Sequence, residues 1–230
     1  MERTQDAIKK ARSKRVTSHI GRTTPTATSA DDPWSKLASF MPTAAHLKRK
    51  RVIVPGSGAA QVSIDILRTR LLQQMRASSW TKLMVTSPRG GCGKSMTCVN
   101  LAISIARQKE MKVLLLDFDL RKPSLANIFD YRGASGMASV LEGRKNFEDA
   151  AVRIGTNLAV CMGPEISANP AESLLSPHTH DLIARLEADY SPDLMIFDVP
   201  PIYANDDTAA LAPSVDCALA IIAAEETKLA

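Results

Sequence analysis

From Ala60 onward the chain alternates between two kinds of apolar pattern. Ile64, Leu67, Leu71 and Met75 recur at helical spacing and predict a helix ending near Ser78. Five short runs are apolar almost without interruption: Leu83–Thr86, Val113–Leu116, Asn157–Cys161, Leu194–Phe197 and Ala218–Ile222. Such runs predict strands buried on both faces. Helices separate them. One runs from Lys94 to about Gln108. Another starts at Ser176–Pro177, a cap followed by proline at the first helical position, and buries Leu182, Ile183 and Leu186. The expected fold is α/β, a mostly parallel sheet with helices on both faces. Ligands of such sheets bind at the carboxyl ends of the strands.

Upstream of Val52 the pattern is different. Thr23–Thr24–Pro25–Thr26–Ala27–Thr28–Ser29 has too little apolar surface to offset the entropy of ordering. Residues 1–51 therefore read as a basic, largely disordered tail, and residues 52–230 as the folded domain. Within the tail, Asp6–Arg15 has the makings of a short helix with a basic face of Lys9, Lys10, Arg12, Lys14 and Arg15. Trp34, Leu37, Phe40 and Met41 follow at i, i+3, i+6 and i+7, the pattern of a short docking segment. Lys48–Arg49–Lys50–Arg51 forms a second basic run.

Composition narrows the class. Of the 230 residues, 45% are apolar and 23% charged, ordinary for a globular chain. Net charge is +5, divided unevenly. Residues 1–51 carry 12 Lys+Arg and 4 Asp+Glu, a net +8, whereas residues 52–230 carry 17 and 20, a net −3. Two readings of the tail stay open: a solvated segment, or one that contacts anionic lipid or an acidic partner surface. Aromatic residues are only 4% of the chain, which argues against a base-stacking nucleic-acid surface. No window has the length and apolarity of a membrane span, and no apolar leader follows Met1. Glu2 stands where myristoylation needs glycine. The expected location is cytoplasmic, or peripheral at the inner face of the plasma membrane through a partner. Cys92, Cys98, Cys161 and Cys217 match neither a zinc nor a CxxC spacing and read as free thiols.

Candidate chemistry lies between the first predicted strand and its helix. Thr86–Ser87–Pro88–Arg89–Gly90–Gly91–Cys92–Gly93–Lys94–Ser95 is a P-loop, with Pro88 where the standard pattern has glycine. The cofactor-binding candidates are Arg89, Gly90, Gly91, Cys92, Gly93, Lys94, Ser95 and Met96. Glycines let several N–H groups turn inward at a helix N-terminus, which makes an anion site. Lys94 is placed to reach the β- and γ-phosphates, and Ser95 to ligate Mg²⁺. Two carboxylate motifs follow at strand ends: Asp117–Phe118–Asp119–Leu120–Arg121–Lys122–Pro123 and Asp198–Val199–Pro200–Pro201. Phosphoryl transfer needs a metal to neutralise phosphates and a carboxylate to orient the nucleophile. Asp198 suits the metal side and Asp119 can complete the shell with Ser95. Asp117 suits nucleophile orientation or proton acceptance. The alternative is that one of these aspartates merely caps a helix.

These three motifs, in this order from about Val52 onward, resemble the bacterial tyrosine kinases, P-loop kinases of capsule and exopolysaccharide synthesis. Leu67–Arg68–Thr69 and Asn169–Pro170–Ala171–Glu172–Ser173–Leu174–Leu175 also resemble family features. The resemblance implies ATP and Mg²⁺ as cofactors, a tyrosine hydroxyl as acceptor, regulation of polymer synthesis and chain length, and activation by a transmembrane polysaccharide co-polymerase. It also implies homo-oligomers. The sequence departs from the family in three ways. Tyr131, Tyr190 and Tyr203 form no terminal cluster. Val62, Asp65 and Arg68 occupy the positions of an acidic and two basic ring-forming residues, and Arg68 alone keeps the family's type. The family also continues through another helix and strand after the fifth run. Two rivals remain: the related ATPases of the ParA and MinD kind, in which Arg89 would reach a partner's phosphates across a dimer, and a non-phosphorylating ATP-binding switch in polysaccharide export. Asp119–Leu120–Arg121–Lys122–Pro123 favours the kinase over the ATPase.

Overall fold

A computed structural model describes residues 32–53 and 58–223. The expected helix at Asp6–Arg15 lies outside them. Among the described residues a single sheet has seven strands: β1 (Ala38–Ser39), β2 (Lys82–Thr86), β3 (Val113–Asp117), β4 (Ala151–Ile154), β5 (Leu158–Cys161), β6 (Leu194–Asp198) and β7 (Cys217–Ala220). Their order is β1-β4-β5-β3-β6-β2-β7. Every pair is parallel except β4–β5. The longer helices are α3 (Ala59–Ser78), α4 (Lys94–Ala106) and α9 (Pro177–Tyr190). Shorter ones are α1 (Pro33–Lys36), α2 (Ala44–Arg49), α5 (Leu125–Phe129), α6 (Met137–Leu141), α7 (Phe147–Ala150), α8 (Pro170–Leu175) and α10 (Asp207–Leu211).

Four of the five apolar runs form strands buried on both faces because each face of the sheet has its own cover, whereas the fifth, expected to be buried likewise, forms the edge strand β7, whose residues are half-buried or exposed. Val113 and Leu115 of β3 join Leu83, Val85, Leu194 and Ile196 in a core completed by α4. Leu114 and Leu116 join Met84, Met195 and Phe197 in a second core completed by α6, α7 and α9. Successive side chains thus alternate between two layers, as strand geometry requires.

Two strands have no counterpart in the expected set. β4 reads as polar at Arg153 and precedes a tight connection, in which Gly155 takes φ +67°. That turn lets β4 fold back antiparallel on β5, pairing Ile154 with Leu158. Asn157 then lies with Nδ2 2.9 Å from the Ala106 carbonyl and 2.7 Å from that of Met111, which ties the turn to the end of α4. β1 pairs parallel with β4 at the sheet edge, and Phe40 continues the contact by donating its N–H to Arg153 O at 2.9 Å.

The second unexpected strand moves the start of the folded part to Pro33. Trp34 and Leu37 are buried in the core, and Trp34 Nε1 donates to Tyr190 O at 2.8 Å. The docking segment read from Trp34 and Leu37 is therefore docked on its own chain, while Met41 is exposed. Lys48, Arg49 and Lys50 belong to or follow α2, whose Thr43 cap accepts from the His46 N–H. The boundary at Val52 overlooks this strap because a helix turn and a two-residue strand are too short for a periodicity to register.

Candidate functional site

The loop Ser87–Gly93 joins the carboxyl end of β2 to α4. Gly91 and Gly93 adopt φ +84° and +89°, left-handed conformations that other residues enter only at a cost. Gly93 is the N-cap of α4, and its carbonyl accepts from the Thr97 N–H at 2.9 Å. Ser87 Oγ donates to Arg89 O at 2.7 Å and tightens the turn. Arg89, Gly90, Gly91 and Gly93 are exposed, and Cys92 is half-buried. Met96 packs its side chain against the apolar core, so only its main chain can serve a ligand.

Lys94, the first residue of α4, reaches over the sheet end. Its Nζ lies 2.9 Å from Asp119 Oδ2, 3.4 Å from Asp198 Oδ1 and 3.4 Å from Ser95 Oγ. The Ser95 hydroxyl also favours the ionised form of Asp198. Burial works against the Lys94 ammonium, but Asp198 and Asp119 outweigh it and hold its pKa above the ordinary value. Asp119 Oδ1 accepts from the Lys122 N–H at 3.1 Å, which fixes the carboxylate toward Lys94.

Asp117 and Asp198 end β3 and β6 and face each other in register. Their exposures are 2% and 0%. Burial pushes Asp117 well above the usual carboxylate range, and the Asp198 charge adds to it. Burial also raises Asp198, partly countered by Lys94. Asp117 does cap a helix: its Oδ2 accepts from the N–H groups of Ser124 and Leu125, each at 2.9 Å, at the start of α5. That leaves Asp117 Oδ1 and Asp198 Oδ2 buried without a hydrogen-bond partner. Orphaned buried carboxylate oxygens of this kind call for a cation or an incoming proton. Among the described residues no group of three or more His, Cys, Asp or Glu is arranged to hold a metal by itself. Asp198, Asp119 and the Ser95 hydroxyl are hard oxygen donors, and Mg²⁺ takes one or two carboxylates together with phosphate oxygens and waters. The residues present fit that ion.

Two further groups at this end of the sheet escaped the motif reading. Arg121 holds Asp207 in a two-pronged bridge, Nε to Oδ2 at 2.8 Å and Nη2 to Oδ1 at 3.0 Å. Asp207 is fully buried at the start of α10, so the bridge fastens that helix to the loop carrying Asp119. Thr86 and Thr208 both donate to Pro200 O at 2.8 Å and pin the loop after Asp198. The Lys–Pro after Arg121 was the sequence's sole hint of a shaped loop. Two of the three residues at the ring-motif positions, Asp65 and Arg68, are engaged inside the chain. Asp65 accepts from Ser104 Oγ at 2.8 Å and from Arg68 Nη1 at 3.0 Å, while Val62 is exposed.

The sequence profile of the ParA family, described as NUBPL iron-transfer P-loop NTPase, matches residues 79–230. The tyrosine-protein kinase YwqD of Bacillus subtilis (strain 168) is 37% identical over 147 residues, 64% of this chain and 61% of that protein. The chain thus spans less than two thirds of that relative. The solved VpsO kinase domain aligns at 28% identity and a TM-score of 0.65, covering 74% of this chain and 83% of that one. The septum site-determining protein MinD of Pyrococcus horikoshii, solved with Mg-ADP, shares the fold at 20% identity and a TM-score of 0.51, covering 61% of this chain and 57% of that one. The chain belongs to the ParA family of P-loop NTPases, and its resemblance to the bacterial tyrosine kinases holds in both sequence and fold.

Proposed function

We propose that this chain is an ATP-dependent protein-tyrosine kinase that regulates exopolysaccharide or capsule synthesis and polymer chain length. The observation that carries the reading is the meeting of Lys94, Ser95, Asp119 and Asp198 beside the P-loop, with Asp117 next to Asp198. The similarity to YwqD, a tyrosine-protein kinase, supports the acceptor class. In this reading Lys94 leaves its two carboxylates and binds the β- and γ-phosphates, while N–H groups of Arg89 to Met96 hold the chain of phosphates. Ser95, Asp198 and Asp119 hold Mg²⁺, which when bound neutralises phosphate charge. Asp117 Oδ1 orients the attacking hydroxyl or, when ionised, accepts its proton, roles open to it because its other oxygen alone serves the α5 cap. A transmembrane co-polymerase recruits and activates the chain. Among the described residues no helix is long and apolar enough to cross a membrane, which suits a recruited protein.

A ParA-type ATPase is the second reading, favoured by the exposed Arg89 on the outer side of the loop. One assay separates the two. The purified chain is incubated with Mg-ATP, alone and with the cytoplasmic segment of the co-polymerase. Phosphotyrosine is expected. Phosphate release without phosphotyrosine would overturn the kinase in favour of the ATPase, and binding with neither product would leave a switch.

A further inference from the structure

We propose that Tyr203 is this chain's own phosphate acceptor. The inference rests on the kinase reading and adds the substrate group. The chain has three tyrosines, and all three lie within the described residues. A phenol that attacks a phosphorus must be reachable and free of a fixed partner. Tyr190 is 1% exposed, and its hydroxyl donates to Glu148 Oε1 at 3.2 Å between the rings of Trp34 and Phe147. Tyr131 is half-buried, with its ring edge-on to Phe40 at 5.3 Å between centroids. Burial holds both phenols above the ordinary tyrosine value, the wrong direction for a nucleophile.

Tyr203 differs in its exposure. It is 83% exposed, in the loop five residues beyond Asp198. Main-chain bonds fix that loop at the nucleotide end of the sheet: the Ile202 N–H donates to Ser87 O at 2.8 Å, and the Ala204 N–H to Pro201 O at 3.0 Å. Ser87 is the residue that opens the P-loop, so the main chain next to Tyr203 borders the phosphate site. Ile202 beside it is about half exposed and Asp206 is exposed, which gives the segment an apolar and an acidic marker for recognition. In the step itself the Tyr203 oxygen bonds to the γ-phosphorus of ATP. The bond from that phosphorus to the β–γ bridging oxygen breaks, ADP departs with the electron pair, and the phenolic proton passes to water.

The test incubates the full chain with Mg-ATP labelled in the γ position, with and without a soluble Glu–Tyr copolymer, and maps the label by peptide fragmentation. Label is expected on Tyr203. Tyr203→Phe is expected to lose at least nine tenths of self-labelling while phosphorylating the copolymer as the parent does. Tyr131→Phe and Tyr190→Phe are expected to keep the label. Copolymer phosphorylation together with label on another tyrosine, or with no self-labelling, would overturn the acceptor assignment and leave the kinase reading standing. Failure of both copolymer and self-labelling would overturn the kinase reading, and the assignment with it.

Discussion

Asp117 and Asp198 stand opposite one another in a buried register pair, and each retains an unpartnered oxygen. Such a pair costs stability once both are ionised. Because burial raises Asp117 in the folded state, the folded chain holds a proton that the unfolded chain releases at the ordinary carboxylate pKa. Stability is therefore full below that range and falls as pH rises toward the raised value. Asp117→Asn keeps an acceptor for the α5 cap and removes the charge. It is expected to raise the melting temperature of the nucleotide-free protein by at least about 2 °C near pH 8, on the order of 1 kcal/mol for a chain of this size. The gain should vanish below the ordinary carboxylate range, where the parent is protonated in both states. Calorimetry across that range checks it, and a shift of equal size at every pH would contradict the buried pair. Phosphoryl transfer should slow in the same variant with ATP affinity retained. Lys94→Met removes the cation shared by Asp119 and Asp198, and ATP affinity should fall at least tenfold, about 1.4 kcal/mol, by titration calorimetry. Unchanged affinity would place the phosphates elsewhere. That Lys94, Ser95, Asp117, Asp119 and Asp198 meet was legible because each sits at a helix start or within two residues of a strand end, where local pattern reveals position. Which aspartate takes the capping role was not, since Ser124 and Leu125, the partners of Asp117, open a helix too short to predict.

Arg121 and Asp207 show what spacing alone does not reveal at the scale of elements. They are 86 residues apart in sequence, and their bridge joins the loop after β3 to the start of α10. The Asp207 carboxylate is fully buried, while 43% of the Arg121 side chain is exposed. Water therefore softens the loss when the arginine is removed, and Arg121→Ala should cost about 1–3 kcal/mol, the penalty of an unpaired buried acceptor rather than the worth of a surface ion pair. Urea unfolding measures this. Arg121→Lys should recover the charge but only one of the two bonds and fall between. If Arg121→Ala unfolds at the parent's midpoint, Asp207 has another partner. α10 packs against α8, so a loosened bridge should also weaken protection of the Asn169–Ser176 segment in hydrogen exchange. The Asn-Asp-Asp run in which Asp207 sits reads as a turn in sequence, and no periodicity marks α10. The long helices and the four inner strands β2, β3, β5 and β6 were legible for the opposite reason, because an element with a buried face must repeat its apolar spacing, while the edge strand β7 was legible only as a short apolar run.

The distribution of charge over the whole molecule changes once the strap is recognised. Residues 1–32 hold seven Lys+Arg and four Asp+Glu, a net +3, and residues 33–51 hold five basic residues and no acidic one. Most of what reads as tail charge thus belongs to the folded unit, carried on or next to α1 and α2. The strap that carries it is also structural. Trp34 and Leu37 fill the same core as Leu114, Phe197 and Tyr190, and β1 supplies the outer partner of β4. Removing buried side chains of this size costs about 2–5 kcal/mol each, against a total stability of about 5–15 kcal/mol for a domain. A chain starting at Val52, where composition alone draws the boundary, should therefore lose at least about half of its unfolding free energy. It should also expose the β4 edge, with Val152 beneath it, to pairing with other copies. A chain starting at Pro33 keeps every one of these contacts. Urea unfolding and light scattering on the two truncations decide the matter: the Pro33 start should unfold as one cooperative unit and stay monodisperse, and the Val52 start should melt early or aggregate. Equal midpoints for the two would mean that Trp34 and Leu37 lie on the sheet without stabilising it.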